Sequence, residues 1–179
     1  MPYIALPDVP GIGAGFAFRP DTAKPMRELA EILLRGPSTL TSGEREMIAA
    51  FVSDRNNCRF CHASHRAAAA HHMDGRYDIV DAVTCDPESA PVSPKLKALL
   101  AIAAKVRESG RLVTTADVER ARREGATDRE IHDTVLIAAA FCMFNRYVDG
   151  LGAITPTDEQ LYDMMGQRLA RQGYTPPNR

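Results

Sequence analysis

Apolar residues return every three or four positions along most of this chain, and no stretch alternates with a period of two. That pattern predicts helices, and cap residues predict their limits. A helix is expected after Pro25, over MRELAEILLRG, with a stop at Gly36–Pro37. Thr41 and Glu44 have capping-box spacing and open TSGEREMIAAFVSDRN. Asn56 or Asn57 is expected to cap CRFCHASHRAAAAHHMDG, which ends near Gly75, before a short helix around Asp78–Val83. Ser93 followed by Pro94 starts KLKALLAIAAKVRESG, and Thr114 or Thr115 starts ADVERARREG. Thr127 and Glu130 form a second capping box, ahead of the longest apolar run, DREIHDTVLIAAAFCMFNRYVDG. Thr155–Pro156 is expected to cap TDEQLYDMMGQRLARQG. Residues 1–22, with Gly11, Gly13 and Gly15 between Pro10 and Pro20, read as an extended arm over the core. The sum is an all-α fold of roughly seven or eight helices.

Aligning residues 45–65 with 129–149 pairs Arg45 with Arg129, Glu46 with Glu130, Cys58 with Cys142 and Phe60 with Phe144. It also pairs Cys61 with Asn145 and His65 with Asp149. The expectation is a degenerate internal repeat, residues 42–75 and 127–153, whose second copy kept the fold and lost the chemistry.

Composition narrows the classes. At 179 residues, 45% of them hydrophobic and 25% charged, the chain suits one domain, 1–179. The net charge is -1, and the run Glu119–Arg120–Ala121–Arg122–Arg123–Glu124 mixes signs, so no nucleic-acid partner is expected. The glycines near Gly11 do not have GxGxxG spacing after a strand, which argues against a phosphate loop. The N-terminal stretch lacks the pattern of a signal peptide, and no apolar run is long enough to span a membrane. A cytoplasmic protein is expected, where a disulfide is more often transient and chemical than structural.

The chemistry gathers in NNCRFCHASH, residues 56–65. Cys58–Arg59–Phe60–Cys61–His62 is a literal CxxCH, the attachment pattern of c-type haem, but that attachment normally needs export. Zinc is a second reading, since Cys58, Cys61, His62 and His65 share roughly a 100° sector of one helix. A single straight helix does not easily wrap four ligands tetrahedrally, and His71, His72 and His132 are not required by spacing. A thiol pair is the third: cysteines at i and i+3 in a first turn can form a disulfide, and the helix N-terminus favours a thiolate. His65, one turn after Cys61, is placed to take its proton, with His62 a weaker candidate over Cys58. An inert buried pair is the fourth. His71 and His72 read as surface residues near a helix end, and Cys85 and Cys142 as packing residues.

Glu46, Cys58, Cys61 and His65 together give the pattern E-x11-CxxC-x3-H, and LTSGEREMIAAFVSDRNNCRFCHASHRAA surrounds it. This stretch resembles the core motif of the AhpD-like alkylhydroperoxidases of the carboxymuconolactone decarboxylase superfamily. FNRYVDGLG is similar to the peroxidase-related branch. The resemblance covers roughly residues 20–170. It implies an all-helical fold, a homo-oligomer (trimer or hexamer), and reduction of a small hydroperoxide by a cysteine pair without metal or other cofactor. It implies further that Cys61 is the peroxidatic thiolate, Cys58 the resolving thiol, and His65 with Glu46 the proton relay. An external dithiol of unspecified identity would restore the pair. The best-known members carry histidine between the cysteines, where this chain has Phe60. Lactone decarboxylation needs no cysteine pair. A redox sensor that forms the disulfide without efficient turnover is the other class.

Overall fold

α-Helices make up all but one of the regular elements in the computed structural model, which describes residues 1–175. In chain order they are α1 Ile12–Phe18, α2 Pro20–Arg35, α3 Ser42–Arg55, α4 Arg59–His71 and α5 Tyr77–Cys85. Then come α6 Pro94–Glu108, a 3₁₀ turn at Gly110–Leu112, α7 Thr115–Arg123, α8 Asp128–Gly150 and α9 Glu159–Gln172. The described residues contain no strand.

α3 is the axis of the bundle. Every residue from Arg45 to Ser53 is buried, because this helix is covered by α2, α4, α5, α6 and α8 on its different sides. The capping box read from Thr41 and Glu44 is formed, as are those at Thr114 with Asp117 and at Thr127 with Glu130. Ser93 caps α6, with Pro94 in its first turn. α4 lies between α3 and α9, and its alanines let α9 come close: a Cβ on Gly166 would stand 2.4 Å from the Ala67 Cβ.

Four expectations are corrected. The N-terminal segment is an extended arm only in its first half: residues 1–10 carry no helix, but residues 12–22 form α1 and the first turn of α2. Gly11 (φ 56°) lies flat on Phe60, where a Cβ would come within 2.1 Å of the ring; this tertiary contact overrides the weak helix propensity of a glycine-rich run. α2 begins at Pro20, a residue suited to a first turn, and continues through Pro25 without the backbone hydrogen bond a proline cannot donate. Neither asparagine caps α4. Asn56 closes α3, Asn57 takes the left-handed conformation (φ 58°) that turns the chain, and Cys58 itself is the cap residue. Asp158, not Thr155–Pro156, caps α9, because its carboxylate reaches the Gln160 N–H at 2.9 Å.

The aligned segments also differ in backbone. Residues 45–65 form helix, turn and helix, whereas 129–149 lie within the uninterrupted α8, so the two do not superpose as copies. Both start at a capping box, and this shared start carries the likeness in their sequences.

Candidate active site

The short turn Asn56–Asn57 brings α4 back along α3 and sets Cys58 at its cap and Cys61 at its third residue. The two sulfurs are not bridged in this structure, and only 0% and 4% of the two residues' surfaces are exposed. Their environments push them apart. The Cys58 thiol, as hydrogen-bond donor, holds Cys61 below the ordinary thiol range; burial opposes this, and the charge of His65 and a hydrogen bond from Asn145 add to it. The same bond, together with burial, holds Cys58 far above that range. Of the two, Cys61 is the sulfur whose thiolate the surroundings favour, and Cys58 the one that keeps its proton to donate.

α3 and α4 pack side by side, and this places Glu46 opposite His65. The His65 Nδ1 lies 2.7 Å from Glu46 Oε2, so Nδ1–H donates to the carboxylate and Nε2 is the basic atom. Phe141 meets the imidazole edge-on at 4.6 Å and Tyr174 stacks on it, centroids 6.0 Å apart, so the ring is held from two sides. The Tyr174 hydroxyl donates to the other oxygen of Glu46, Oε1. Burial first, then the nearby Glu46 charge, push its phenol well above the usual tyrosine range, so it remains a donor.

Cys61 and His65 stand in the wall of a narrow pocket of about 60 Å³. α1 and α2 roof it with Ile12, Phe16, Met26 and Ala30, and Phe60, Phe141 and Phe144 line it from below. Arg27, with its guanidinium 4.8 Å over the Phe16 ring, also lines it. Cys58 faces elsewhere, onto a shallower depression with Asp54, Asn57, Arg59 and His62.

The structure thus brings Glu46, Cys61 and His65 together, with Cys58 behind Cys61. It does not gather a four-ligand set: His65 turns to Glu46, while His62 turns to the Ala50 carbonyl at 3.2 Å. Among the described residues no three His, Cys, Asp or Glu side chains are grouped to hold a metal ion. Cys142 and Cys85 lie apart from the pair. Cys142 is half-buried near Asn56, but Cys85 is exposed at the end of α5, not packed in the core. His71 and His72 are half-buried, not surface residues; His71 meets Asp163 at 2.9 Å. Two residues escaped sequence reasoning. Tyr174 lies beyond the last periodic segment, and Asn145 looked like a lost cysteine, yet it bonds Asn56 (2.8 Å) and Ser53 (3.1 Å) beside the pair. No motif signals either; only the polarity of Asn145 inside an apolar helix hinted at a buried network.

No family model and no curated protein matches the chain. Among solved structures, it is similar to the alkylhydroperoxidase AhpD core of an uncharacterized peroxidase-related protein from Ralstonia eutropha JMP134. The two are 31% identical, the match covers 89% of this chain and 82% of that one, and the TM-score is 0.78. It is also similar to an uncharacterized peroxidase-related protein from Silicibacter sp. TM1040, at 28% identity over 87% and 79% of the two chains, TM-score 0.76.

Proposed function

Because this chain belongs to the AhpD-like, peroxidase-related family, we propose that it reduces organic hydroperoxides through Cys61 and Cys58. The observation that carries this reading is the division of the pair. Cys61, the sulfur favoured as thiolate, borders the apolar pocket beside His65, while the protonated Cys58 stands behind it and outside that pocket.

The Cys61 thiolate attacks the terminal oxygen of the hydroperoxide, the O–O bond breaks, and Cys61 becomes a sulfenic acid. His65, protonated at Nε2 by the thiol it activated, gives that proton to the leaving alkoxide, which departs as alcohol. Glu46 orients the imidazole and balances its positive charge, and Tyr174 holds Glu46 in place. Cys58 then condenses with the sulfenic acid, expelling water and forming the Cys58–Cys61 disulfide, and two thiol equivalents restore both cysteines. The apolar lining suits an alkyl or aryl group on the hydroperoxide better than hydrogen peroxide alone. The homo-oligomer implied by the family belongs to this proposal as well.

Thiol counting after mild treatment with cumene hydroperoxide tests the roles. Wild type is expected to lose two thiols reversibly. Cys58→Ser should accumulate sulfenic acid on Cys61, and Cys61→Ser should react slowly. Equal behaviour of the two variants would overturn the assignment. Turnover with a thiol reductant separates an enzyme from a sensor that is merely oxidised.

A further inference from the structure

The pocket that receives the peroxide ends on Cys61, and the mechanism above leaves His62 and the depression around Cys58 unused. The two spaces share no lining residue. The second opens on another side of α4, with the polar residues Asp54, Asn57, Arg59 and His62 around Cys58. His62 follows Cys58 by one helical turn on the same face. Its Nδ1 is committed to the Ala50 carbonyl oxygen at 3.2 Å, which leaves Nε2 as the basic atom of a side chain that lines the depression.

We propose that this depression is the docking site of a small thiol reductant, which attacks Cys58 Sγ while His62 takes its proton. The proposal rests on the reading of Cys58 and Cys61 as a pair that cycles through a disulfide. In the first step the incoming thiol gives its proton to His62 Nε2 and its sulfur bonds to Cys58. The Cys58–Cys61 bond breaks, and its electron pair leaves on Cys61 as thiolate. A second thiol, having lost its proton to solvent, attacks the reductant's sulfur in the mixed disulfide. Reductant disulfide departs, and Cys58 leaves as thiolate and recovers the proton held by His62.

Two arguments favour Cys58 as the sulfur attacked. Exchange is faster when the departing sulfur is the better thiolate, and the His65 charge and the Asn145 hydrogen bond, neither of which needs a Cys58 thiol, favour Cys61. The routes differ as well, because Cys61 borders the pocket roofed by α1 and α2, whereas Cys58 borders the more open depression. Cys58 is one of the residues lining this depression and has no exposed surface, which suits a slender thiol and not a cysteine on a flat protein surface. The charged groups around it are Asp54 of α3, which is paired with Arg55 at 3.3 Å, and Arg59, 3.9 Å from Glu159 of α9. Asp149 of α8 acts on both sulfurs.

The disulfide can be formed with diamide, so the measurement does not depend on peroxide being the natural oxidant. Its reduction by dithiothreitol is then followed by acid quench, alkylation and mass measurement, for wild type, His62→Gln and His62→Asn. The variants are expected to be reduced roughly a hundredfold more slowly near pH 7, the lower end of what a positioned base contributes. The deficit should vanish above about pH 9.5, where the dithiol is already thiolate. Equal rates near pH 7, or a deficit that persists unchanged at high pH, would overturn the proposal. Loss of peroxide reactivity in wild type would instead overturn the peroxidase reading and leave this result standing.

Discussion

Each oxygen of the buried Glu46 is claimed by its own donor, His65 on one side and Tyr174 on the other. A carboxylate held this way keeps one position, and so does the imidazole bonded to it. Tyr174→Phe removes one donor and leaves an acceptor buried. The expected result is a stability loss of about 1.5–3 kcal/mol in urea unfolding and a several-fold slower oxidation of Cys61 in stopped-flow mixing. Unchanged values in both would show that the hydroxyl does not support the relay. This residue also marks a limit of sequence reading. Glu46, Cys58, Cys61 and His65 are legible because one turn joins the two helices that carry them, so their spacing mirrors their geometry. Tyr174 reaches the site from 128 residues beyond Glu46, through a contact that no local period encodes.

Among the elements, α3, α6, α7 and α8 are the best read, because a threonine or serine cap and an apolar period agree at each start. α1 is the element missed, since its conformation depends on Phe60 lying beneath Gly11. The α4–α9 contact is another that only folding reveals. Gly166 presses on Ala67 and on the backbone of Ala68, and α9 also delivers the buried Tyr162 to Phe60, rings 5.9 Å apart. Gly166→Val would force the two helices apart, with an expected destabilisation of about 1–3 kcal/mol by overpacking. Thermal and urea unfolding measure it, and an unshifted midpoint would mean that α9 is free to slide. Spacing suggested a repeat between the α3–α4 unit and α8, but the break at residues 56–58 is what creates the active turn, and α8 has none.

Across the whole molecule, Glu130 ties distant segments together: its carboxylate takes Lys95 of α6 at 2.7 Å, Thr39 at 2.9 Å and the Thr127 backbone N–H at 2.7 Å. Burial works against its charge, but these partners prevail and hold it at about 2. A carboxyl depressed in the folded state stabilises above its unfolded value of about 4.3, and that stabilisation fades as pH falls toward 2. Glu130→Gln should therefore cost about 2–3 kcal/mol from pH 5 to 8, with the gap to wild type closing below pH 4. Urea unfolding across that range tests it; a gap independent of pH would assign the loss to packing. The sequence shows Glu130 as a cap, and its bonds to Lys95 and Thr39 emerge only with the tertiary fold. No helix among the described residues is long and apolar enough to cross a membrane.

The stacking of Tyr174 on His65 has a consequence for biosynthesis. A ribosome that has just added Glu46 must add 128 more residues before the hydroxyl that grips it exists, on the order of ten seconds of translation. Through that interval the nascent chain already holds the CxxC segment without its completed relay. The support of Glu46 is therefore among the last parts of the site that synthesis supplies.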